Sequence, residues 1–359
     1  SIPGIVTAVR SNGFYLQDPN PDANDATSEG IFVFTSSAPT VSVGNAINVS
    51  GTVTEFRQSG NSAYLTITEI TSPTVTILSS GNPLPAAILL GTGGRSIPNT
   101  IIEDDAVGDV ETSNTFDPTT DGIDFYESLE GMRVQINNPL AVSPTSSLEE
   151  VWVLADNGAN ATSRTSRGGS LQTSTDFNPE RIQIDDDLST ASITIPTVDV
   201  GAELSQIVGV VHYSFGNYEV LATSSPTVVT ASALTKEVTS ISAATDKLTV
   251  STLDLNNLDP TDAAAAFNNF AGVIVTNLKA PDIIIVTQLQ DNNGATNNGV
   301  VDAATTYNTL ITAITTAGGP TYQYRQIDPL NNDDGGEPGG NIRQGFLFNP
   351  SRVSFVDIV

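Results

Sequence analysis

Apolar and polar residues alternate with a period of two along most of residues 1–232. Short runs with this alternation cover residues 4–9, 30–34, 47–49 and 64–67, and clusters of Gly, Pro, Asn and Ser separate them. Such spacing is typical of short strands joined by turns. No helical period persists for more than two turns, so the crossover helices of a parallel α/β sheet are not expected. The pattern predicts antiparallel β-structure, with a barrel as the simplest closure.

Two modules are predicted within this β-rich part. One boundary is expected at the Pro- and Gly-rich residues 81–85, and another in the Ser-, Thr- and Ala-rich residues 232–245. Residues 41–53 and 198–211 share a spacing of Val, Ile and Gly, which favours related modules, although unrelated hairpins can share it. The interior of a barrel over residues 1–80 is predicted to include Ile5, Val6, Phe14, Leu16, Ile31, Val33, Val49, Val53, Leu65 and Ile67.

The hydrophobic spacing changes from residue 247 onward. Residues 248–253 alternate as a strand, residues 261–278 carry apolar positions at helical spacing, and residues 283–286 form a continuous apolar run. A second helix is expected over residues 303–317, followed by a hairpin of strands at 346–348 and 353–356. The order strand, helix, strand predicts an α/β region over residues 246–359.

Composition narrows the possible partners. The 359 residues contain 40 Asp and Glu against 13 Lys and Arg, so the formal net charge is −27. This excess argues against nonspecific coating of nucleic acid or binding to anionic membranes, but it leaves room for a local basic or metal-charged cleft. Cysteine is absent, which excludes disulfides and thiolate metal sites. No apolar run approaches the length of a membrane span. Few Lys and many Ser, Thr and Asn favour a secreted bacterial protein and an extracellular location.

Several motifs carry a resemblance to a known family. The C-terminal region resembles the catalytic domain of secreted bacterial nucleases in the endonuclease/exonuclease/phosphatase superfamily, through Leu258-Asp-Pro and residues 277–284, 290–294 and 335–343. Residues 13–19 and 30–33 resemble the OB-fold-like module of those extracellular nucleases, and residues 213–220 resemble the segment that precedes their catalytic domain.

The resemblance implies a mainly β plus α/β fold in three parts. Residues 1–80 and 84–232 would form two OB-like antiparallel β-barrel modules, and residues 246–359 would form the first half of a four-layered α/β sandwich. It also implies metal-dependent phosphodiester hydrolysis, in which a divalent ion activates water and neutralises charge on the phosphate. DNA or RNA would then be the substrate.

The family's motif maps onto Asp254, Gln288 and Arg343 as site residues, with Asp254 and Gln288 as ligands of Mg²⁺ or Ca²⁺. An Asn is usual at the position of Asp254 and a Glu at that of Gln288, and Phe348 stands where a Tyr is usual. Two interpretations remain open. The neutral Gln288 amide indicates a decayed metal site, or the paired exchange keeps one carboxylate and one amide facing the same ion.

The catalytic set implied by the resemblance is incomplete. The family places an Asp-x-Asn pair and an Asp-His pair downstream of the Arg343 motif, whereas the present sequence ends at Val359 and its single histidine is His212. We therefore expect no hydrolysis by this chain, because no histidine is available as general base. The alternative hypothesis is an extracellular structural or self-assembling protein that reuses the nuclease scaffold. A homo-oligomer would form through an exposed C-terminal strand at residues 354–359.

A second metal candidate lies near the N-terminus. Asp18, Asn20 and Asp22 place oxygen ligands at alternate positions, as calcium-binding loops do. The segment lacks the central Gly and the closing Glu of an EF-hand. An Asx-rich turn without metal is the competing interpretation.

Overall fold

The computed structural model describes residues 1–189, 192–333 and 337–356. The chain divides into two compact units, Ser1–Leu234 and Thr235–Val359. The first unit therefore contains both of the β-rich modules predicted from the sequence, and the second contains the α/β region. Each unit is described by itself below.

A closed five-stranded barrel opens the first unit, as the alternation of residues 1–80 predicts. Its strands follow the order β1-β2-β3-β5-β4. All pairings are antiparallel except that of β3 with β5, which is parallel. The strands are β1 Ile2–Arg10, β2 Gly13–Gln17, β3 Gly30–Phe34, β4 Ala46–Arg57 and β5 Thr66–Ser79.

Most of the predicted interior of the barrel is buried. Five of the ten positions belong to its apolar core, namely Val6, Phe14, Leu16, Val33 and Val49. Ile5 and Ile67 are also buried, and Ile31 and Leu65 are half-buried. The assignment of Val53 to the interior is wrong, since its side chain is 65% exposed. The register of β4 on β5 shifts between Ser50 and Thr52, and such an irregularity breaks the strict alternation of inward and outward side chains.

The rest of the first unit forms a nine-stranded sheet in the order β14-β11-β8-β9-β10-β13-β12-β7-β6. Two short helices, α1 Val110–Ser113 and α2 Gly122–Glu127, lie in the connection between β6 and β7. The strands are β6 Ile88–Leu90, β7 Arg133–Ile136, β8 Leu140–Ala141, β9 Val151–Leu154, β10 Ile182–Asp185, β11 Glu203–Leu204, β12 Ile207–Ser214, β13 Asn217–Ala222 and β14 Val228–Thr230.

This sheet corrects the expectation of a second antiparallel barrel over residues 84–232. It is open, and it contains two parallel pairs, β6 with β7 and β10 with β13. Parallel neighbours need long connections, and the long irregular segments between these short strands supply them. Period-two alternation indicates a strand but does not say which neighbour it pairs with, so the sequence pattern missed this arrangement.

One apolar core joins the barrel to the nine-stranded sheet. Tyr15 and Phe32 of the barrel are buried in the same cluster as Phe125 of α2 and Val211 of β12. The hydroxyl group of Tyr213 in β12 also accepts a hydrogen bond of 2.9 Å from the main-chain amide of Leu65. Shared burial of this kind stabilises both parts together, which accounts for one compact unit over residues 1–234.

The second unit is a four-stranded sheet in the order β15-β16-β18-β17 with helices on one face. β15 and β16 are parallel, whereas β18 is antiparallel to both β16 and β17. The strands are β15 Val250–Leu258, β16 Ile283–Leu289, β17 Gln323–Gln326 and β18 Arg343–Phe348. The helices are α3 Ala264–Gly272, continued by a π-helical turn at Val273–Asn277, and α4 Ala304–Thr316.

The predicted C-terminal hairpin is corrected by this topology. β18 pairs with β16 and β17, and residues 353–356 do not form a strand. A turn at Asn349, whose carbonyl accepts the amides of Arg352 and Val353, directs the chain away from β18. The ring of Phe355 instead packs 5.5 Å from that of Phe346. Residues 357–359 of the predicted edge strand lie outside the described residues.

The two faces of this sheet differ in how they are covered. Ile284 and Val286 are buried beneath α3 and α4, in one cluster with Leu310 and Ile314. On the opposite face, Val250 is 56% exposed and Ile285 is 40% exposed. We call this second surface the open face. The helix and sheet layers are present, whereas a four-layered sandwich is not seen within the described residues.

The barrel core provides a test of the first unit. We expect Phe14→Ala to lower the free energy of unfolding of the first unit by about 3–5 kcal/mol, because the ring is fully buried and its loss leaves a cavity. Val53→Ala is the control, with an expected change within about 0.5 kcal/mol because the side chain is exposed. Urea denaturation followed by Trp152 fluorescence measures both, and equal effects would contradict the assignment of the interior.

Candidate functional site

The ends of all four strands of the second unit bring polar side chains to one edge of the sheet. β15 and β16 are parallel. Asp254 is at the middle of β15, in the last regular pair before the register shift, and Gln288 is near the carboxyl end of β16. β18 runs in the opposite direction, so its first residue, Arg343, is at the same edge, and the last residue of β17, Gln326, is beside it. Ligands of open α/β sheets commonly bind at the carboxyl ends of parallel strands.

A groove of about 1250 Å³ runs from this edge along the open face. Asp254, Gln288 and Arg343 all line it, so the structure brings together the three site residues suggested by the resemblance. Ile285 and Phe346 form part of its apolar floor. The groove therefore combines a polar end with an apolar surface.

Two hydrogen bonds orient the carboxylate of Asp254. Its Oδ1 accepts the main-chain amide of Asn256 at 2.8 Å, and its Oδ2 accepts the hydroxyl of Thr287 at 3.1 Å. Thr287 is the register partner of Asp254 on the neighbouring strand. The side chain is nevertheless exposed. Each carboxylate oxygen can accept more than one bond, so Asp254 is positioned and still available to an ion.

Irregular backbone surrounds the second predicted ligand, Gln288. This residue has a φ of +52°, and Asn256 and Asn257 have φ values of +50° and +62°. The registers of both strands shift at this level, between Asp254 and Leu258 and between Val286 and Leu289. Bulges of this kind redirect side chains and concentrate near functional sites. The irregularity falls where both parallel strands reach the groove.

Arg343 is buried and holds neighbouring segments together. Its Nη1 donates to Gln326 Oε1 and to Asp328 Oδ1, each at 3.0 Å, and its Nη2 donates to the carbonyl of Asn341 at 3.0 Å. Burial lowers the pKa of Arg343, while the nearby carboxylate of Asp328 acts in the opposite direction. These bonds attach the end of β17 to the start of β18, so the arginine positions the groove.

The second unit also contains a buried polar cluster, whose members are not among the site residues predicted from the sequence. Asp291 Oδ2 accepts Asn341 Nδ2 at 2.8 Å, and both side chains are buried. Gln290 is fully buried, its Nε2 donates to Asn257 Oδ1 at 3.3 Å, and its Oε1 has no hydrogen-bond partner among the described residues. Gln290, Asp291 and Asn341 belong to the motifs of the resemblance, which is the signal that could have identified them.

Asp254 and Gln288 supply only part of the coordination that a divalent ion needs. Asp254 and Gln288 supply one carboxylate and one amide oxygen, the hard ligands that Mg²⁺ and Ca²⁺ prefer. Together they contribute one negative charge, because Asp328 at the same edge is paired with Arg343. Such a donor set holds an ion weakly unless solvent or a substrate phosphate completes its coordination.

The other predicted metal residues lie in the connection between β2 and β3. Asp18 Oδ1 accepts the amide of Asn20 at 2.8 Å, and Asp22 Oδ1 accepts the amide of Asn24 at 2.6 Å. Asn20 and Asp22 are exposed. Each bond spans two residues, as in an Asx-turn. The local bonds account for the residue pattern without metal.

Comparisons with known proteins give no activity for the groove. Residues 89–233 match a domain of unknown function, DUF8508. No curated protein matches the chain. One solved structure, described as murine DNA binding protein bound with ds DNA, is 8% identical over 65% of this chain and 98% of that chain, with a TM-score of 0.21. None of the helices in the described ranges combines the length and apolar character needed to cross a membrane.

Arg343 offers a test of how the groove is held. We expect Arg343→Leu to weaken the pairing of β17 with β18 by about 2 kcal/mol, because three charge-assisted bonds are lost, and the amides of β17 should exchange about 30-fold faster. Hydrogen–deuterium exchange with mass spectrometry measures this. The exposed neighbour Gln344, changed to Ala, is the control. Unchanged exchange of β17 in Arg343→Leu would contradict the role assigned to this arginine.

Proposed function

We propose that the second unit is a phosphodiester-binding domain of the nuclease type and that the protein is secreted. The observation that supports this most is the meeting of Asp254, Gln288 and Arg343, from three separate segments, along one groove. All three are positions that the resemblance to secreted bacterial nucleases singles out. In this proposal Asp254 and Gln288 hold Mg²⁺ or Ca²⁺, and the ion meets a phosphate group of DNA or RNA.

The charge of the protein makes a metal ion necessary for this role. With a formal net charge of −27, the surface repels a polyanion on average. A divalent ion in the groove supplies local positive charge and neutralises part of the phosphate charge. Binding of nucleic acid should therefore depend on the ion.

Hydrolysis by this chain is not part of the proposal. The single histidine, His212, is on β12 in the first unit, where it is buried beside Arg10, Tyr15 and Phe32. Burial and the charge of Arg10 hold the pKa of His212 well below its usual range. The groove in the second unit thus has no histidine to act as general base.

Two features of the fold support this proposal. The closed barrel has five strands, as an OB-fold has. In the second unit, helices cover one face of the sheet and apolar side chains remain on the other. We propose that the open face of the second unit receives the further sheet of a nuclease-type sandwich.

A metal-dependent binding measurement tests the proposed function. We expect a fluorescent single-stranded oligonucleotide to bind in millimolar Mg²⁺ and to be released by EDTA, without cleavage. Asp254→Ala should weaken binding by about tenfold or more because it removes the only charged ligand of the ion. Fluorescence anisotropy measures the affinity and gel electrophoresis monitors cleavage.

The control is Thr252→Ala, an exposed position two residues earlier on the same strand. Equal affinity of Asp254→Ala and the unaltered protein would overturn the proposed metal site. Metal-dependent cleavage of the oligonucleotide would overturn the proposed lack of hydrolysis.

Self-assembly is the second candidate function, and the open face favours it. Val250, Ile285 and Phe355 are 56%, 40% and 41% exposed, although each is a large apolar residue. β15 is also an edge strand nine residues long. Apolar surface beside an unpaired strand edge favours association with another chain. In this alternative a second copy covers the open face.

Light scattering after size-exclusion chromatography tests the assembly candidate. If a second copy covers the open face, the protein is a dimer and Ile285→Lys converts it to a monomer, because a charge would be desolvated at the contact. Val107→Lys, at an apolar position 86% exposed in the first unit, is the control and should leave the dimer intact. A monomer for the unaltered protein would exclude this candidate.

A further inference from the structure

An acidic segment of the first unit lies outside the groove and has no role so far. Residues 103–124 lie between β6 and β7, include α1 and the first turn of α2, and contain no Lys or Arg. Their eight carboxylates are Glu103, Asp104, Asp105, Asp109, Glu111, Asp117, Asp121 and Asp124. Such a density of one charge is ordinary on a surface, where water screens it. Here part of it is buried.

Three of these carboxylates converge on one point. Glu103, Asp121 and Asp124 each offer an oxygen atom within 4.8 Å of the oxygens of the other two. Asp121 and Asp124 are 1% and 2% exposed, and Glu103 is half-buried. Oxygen ligands lie 2.3–2.6 Å from a calcium ion, so oxygens separated by up to about 5 Å can share one ion.

Local hydrogen bonds set the positions of the Asp124 and Glu103 carboxylates. Asp124 accepts Asn114 Nδ2 at 3.0 Å and the amide of Asp117 at 2.8 Å. Glu103 Oε2 accepts the same Asn114 Nδ2 at 3.2 Å, and Glu103 Oε1 accepts the amides of Asp105 and Ala106, each at 2.9 Å. All of these donors are neutral. They orient the carboxylates without compensating their charge.

The carboxylate of Asp121 retains an oxygen without a hydrogen-bond partner among the described residues. Asp121 Oδ2 accepts the amide of Asp104 at 3.3 Å, whereas Asp121 Oδ1 is buried and has no hydrogen-bond partner among the described residues. Oδ1 of Asp117, whose charge also acts on Asp121, is likewise buried and without a partner. A buried polar atom that lacks a partner costs free energy, and a buried charge costs more.

The ion pairs seen among the described residues do not compensate this group. Arg10 pairs with Asp187 and Arg57 with Glu111, and neither pair includes a carboxylate of the converging set. A positive ion among these oxygens would relieve their mutual repulsion, and Asp121 Oδ1 would become one of its ligands.

We propose that Glu103, Asp121 and Asp124 form a calcium site. Calcium accepts several oxygen ligands in irregular geometry, which suits carboxylates held by a loop and a short helix, whereas Mg²⁺ demands near-ideal octahedral geometry. The site would attach residues 103–120 to α2, whose Phe125 is fully buried in the core of the first unit. Its role is structural and does not depend on the groove of the second unit.

Calorimetry on the full chain tests this site. We expect a Ca²⁺ binding event that Asp121→Asn weakens at least about tenfold and at which Mg²⁺ binds at least about tenfold more weakly than Ca²⁺. Asp199→Asn, an exposed carboxylate elsewhere in the same unit, should bind as the unaltered protein does. Asp254→Ala should also retain this binding event, because Asp254 belongs to the other unit.

Thermal denaturation provides a second readout that keeps the proposal testable. In the Asp254→Ala background, which removes the proposed groove site, Ca²⁺ should raise the melting temperature, and adding Asp121→Asn should abolish that rise. In calcium-free buffer Asp121→Asn should melt at a higher temperature than the unaltered protein, since it removes an uncompensated buried charge. If Asp121→Asn does not fold, Glu103→Gln replaces it with the same expectation for Ca²⁺ affinity. Absence of Ca²⁺ binding at millimolar concentration, or undiminished binding by the variants, would overturn the proposal.

Discussion

The parallel pairing of β15 with β16 is the constraint on which the second unit depends. Two parallel strands cannot be joined by a tight turn, so the chain must cross over the sheet, and α3 makes that crossing. The crossing helix buries Ile284 and Val286 on one face. It also brings the carboxyl ends of both strands to the same edge, where Asp254 and Gln288 line one groove. The open face and the polar edge thus follow from a single topological choice.

Both units contain more Asp and Glu than Lys and Arg. The protein has 40 acidic residues against 13 Lys and Arg, so many carboxylates have no cationic side chain to pair with. Where such groups are exposed, water and salt screen them. Where they are buried, as Asp121 and Asp124 are, burial raises their pKa, and either protonation or an external cation relieves the cost of the charge. Divalent ions therefore have a place in both proposals, although the residues and the purposes differ.

The local sequence pattern predicted the parts of the fold that depend mainly on neighbouring residues. The alternation of residues 1–80 predicted the barrel, since period-two burial specifies which side chains face inward. It failed for Val53, where a shift in register breaks the period. It also failed for residues 84–232, because short strands of two to eight residues carry no information about their partners. Parallel pairs such as β10 with β13 depend on contacts distant in the sequence.

At the candidate groove, the sequence predicted the residues, whereas the fold determined how they are arranged. The order of motifs in the sequence identified Asp254, Gln288 and Arg343, but their meeting at one edge depends on the antiparallel entry of β18. That entry also made Arg343 a buried residue that holds Gln326 and Asp328 in place.

The sequence by itself determined the residue types, the acidity, the strand-forming alternation of the first 80 residues and the α/β order of the last part. The tertiary structure decided which strands are neighbours, which sheet face is open and which carboxylates converge. Glu103 and Asp121 are 18 residues apart in the sequence, yet they share one point in space with Asp124. The physical reason is that propensity and periodicity act over a few residues, whereas pairing, burial and charge compensation act between segments that only the folded chain brings together.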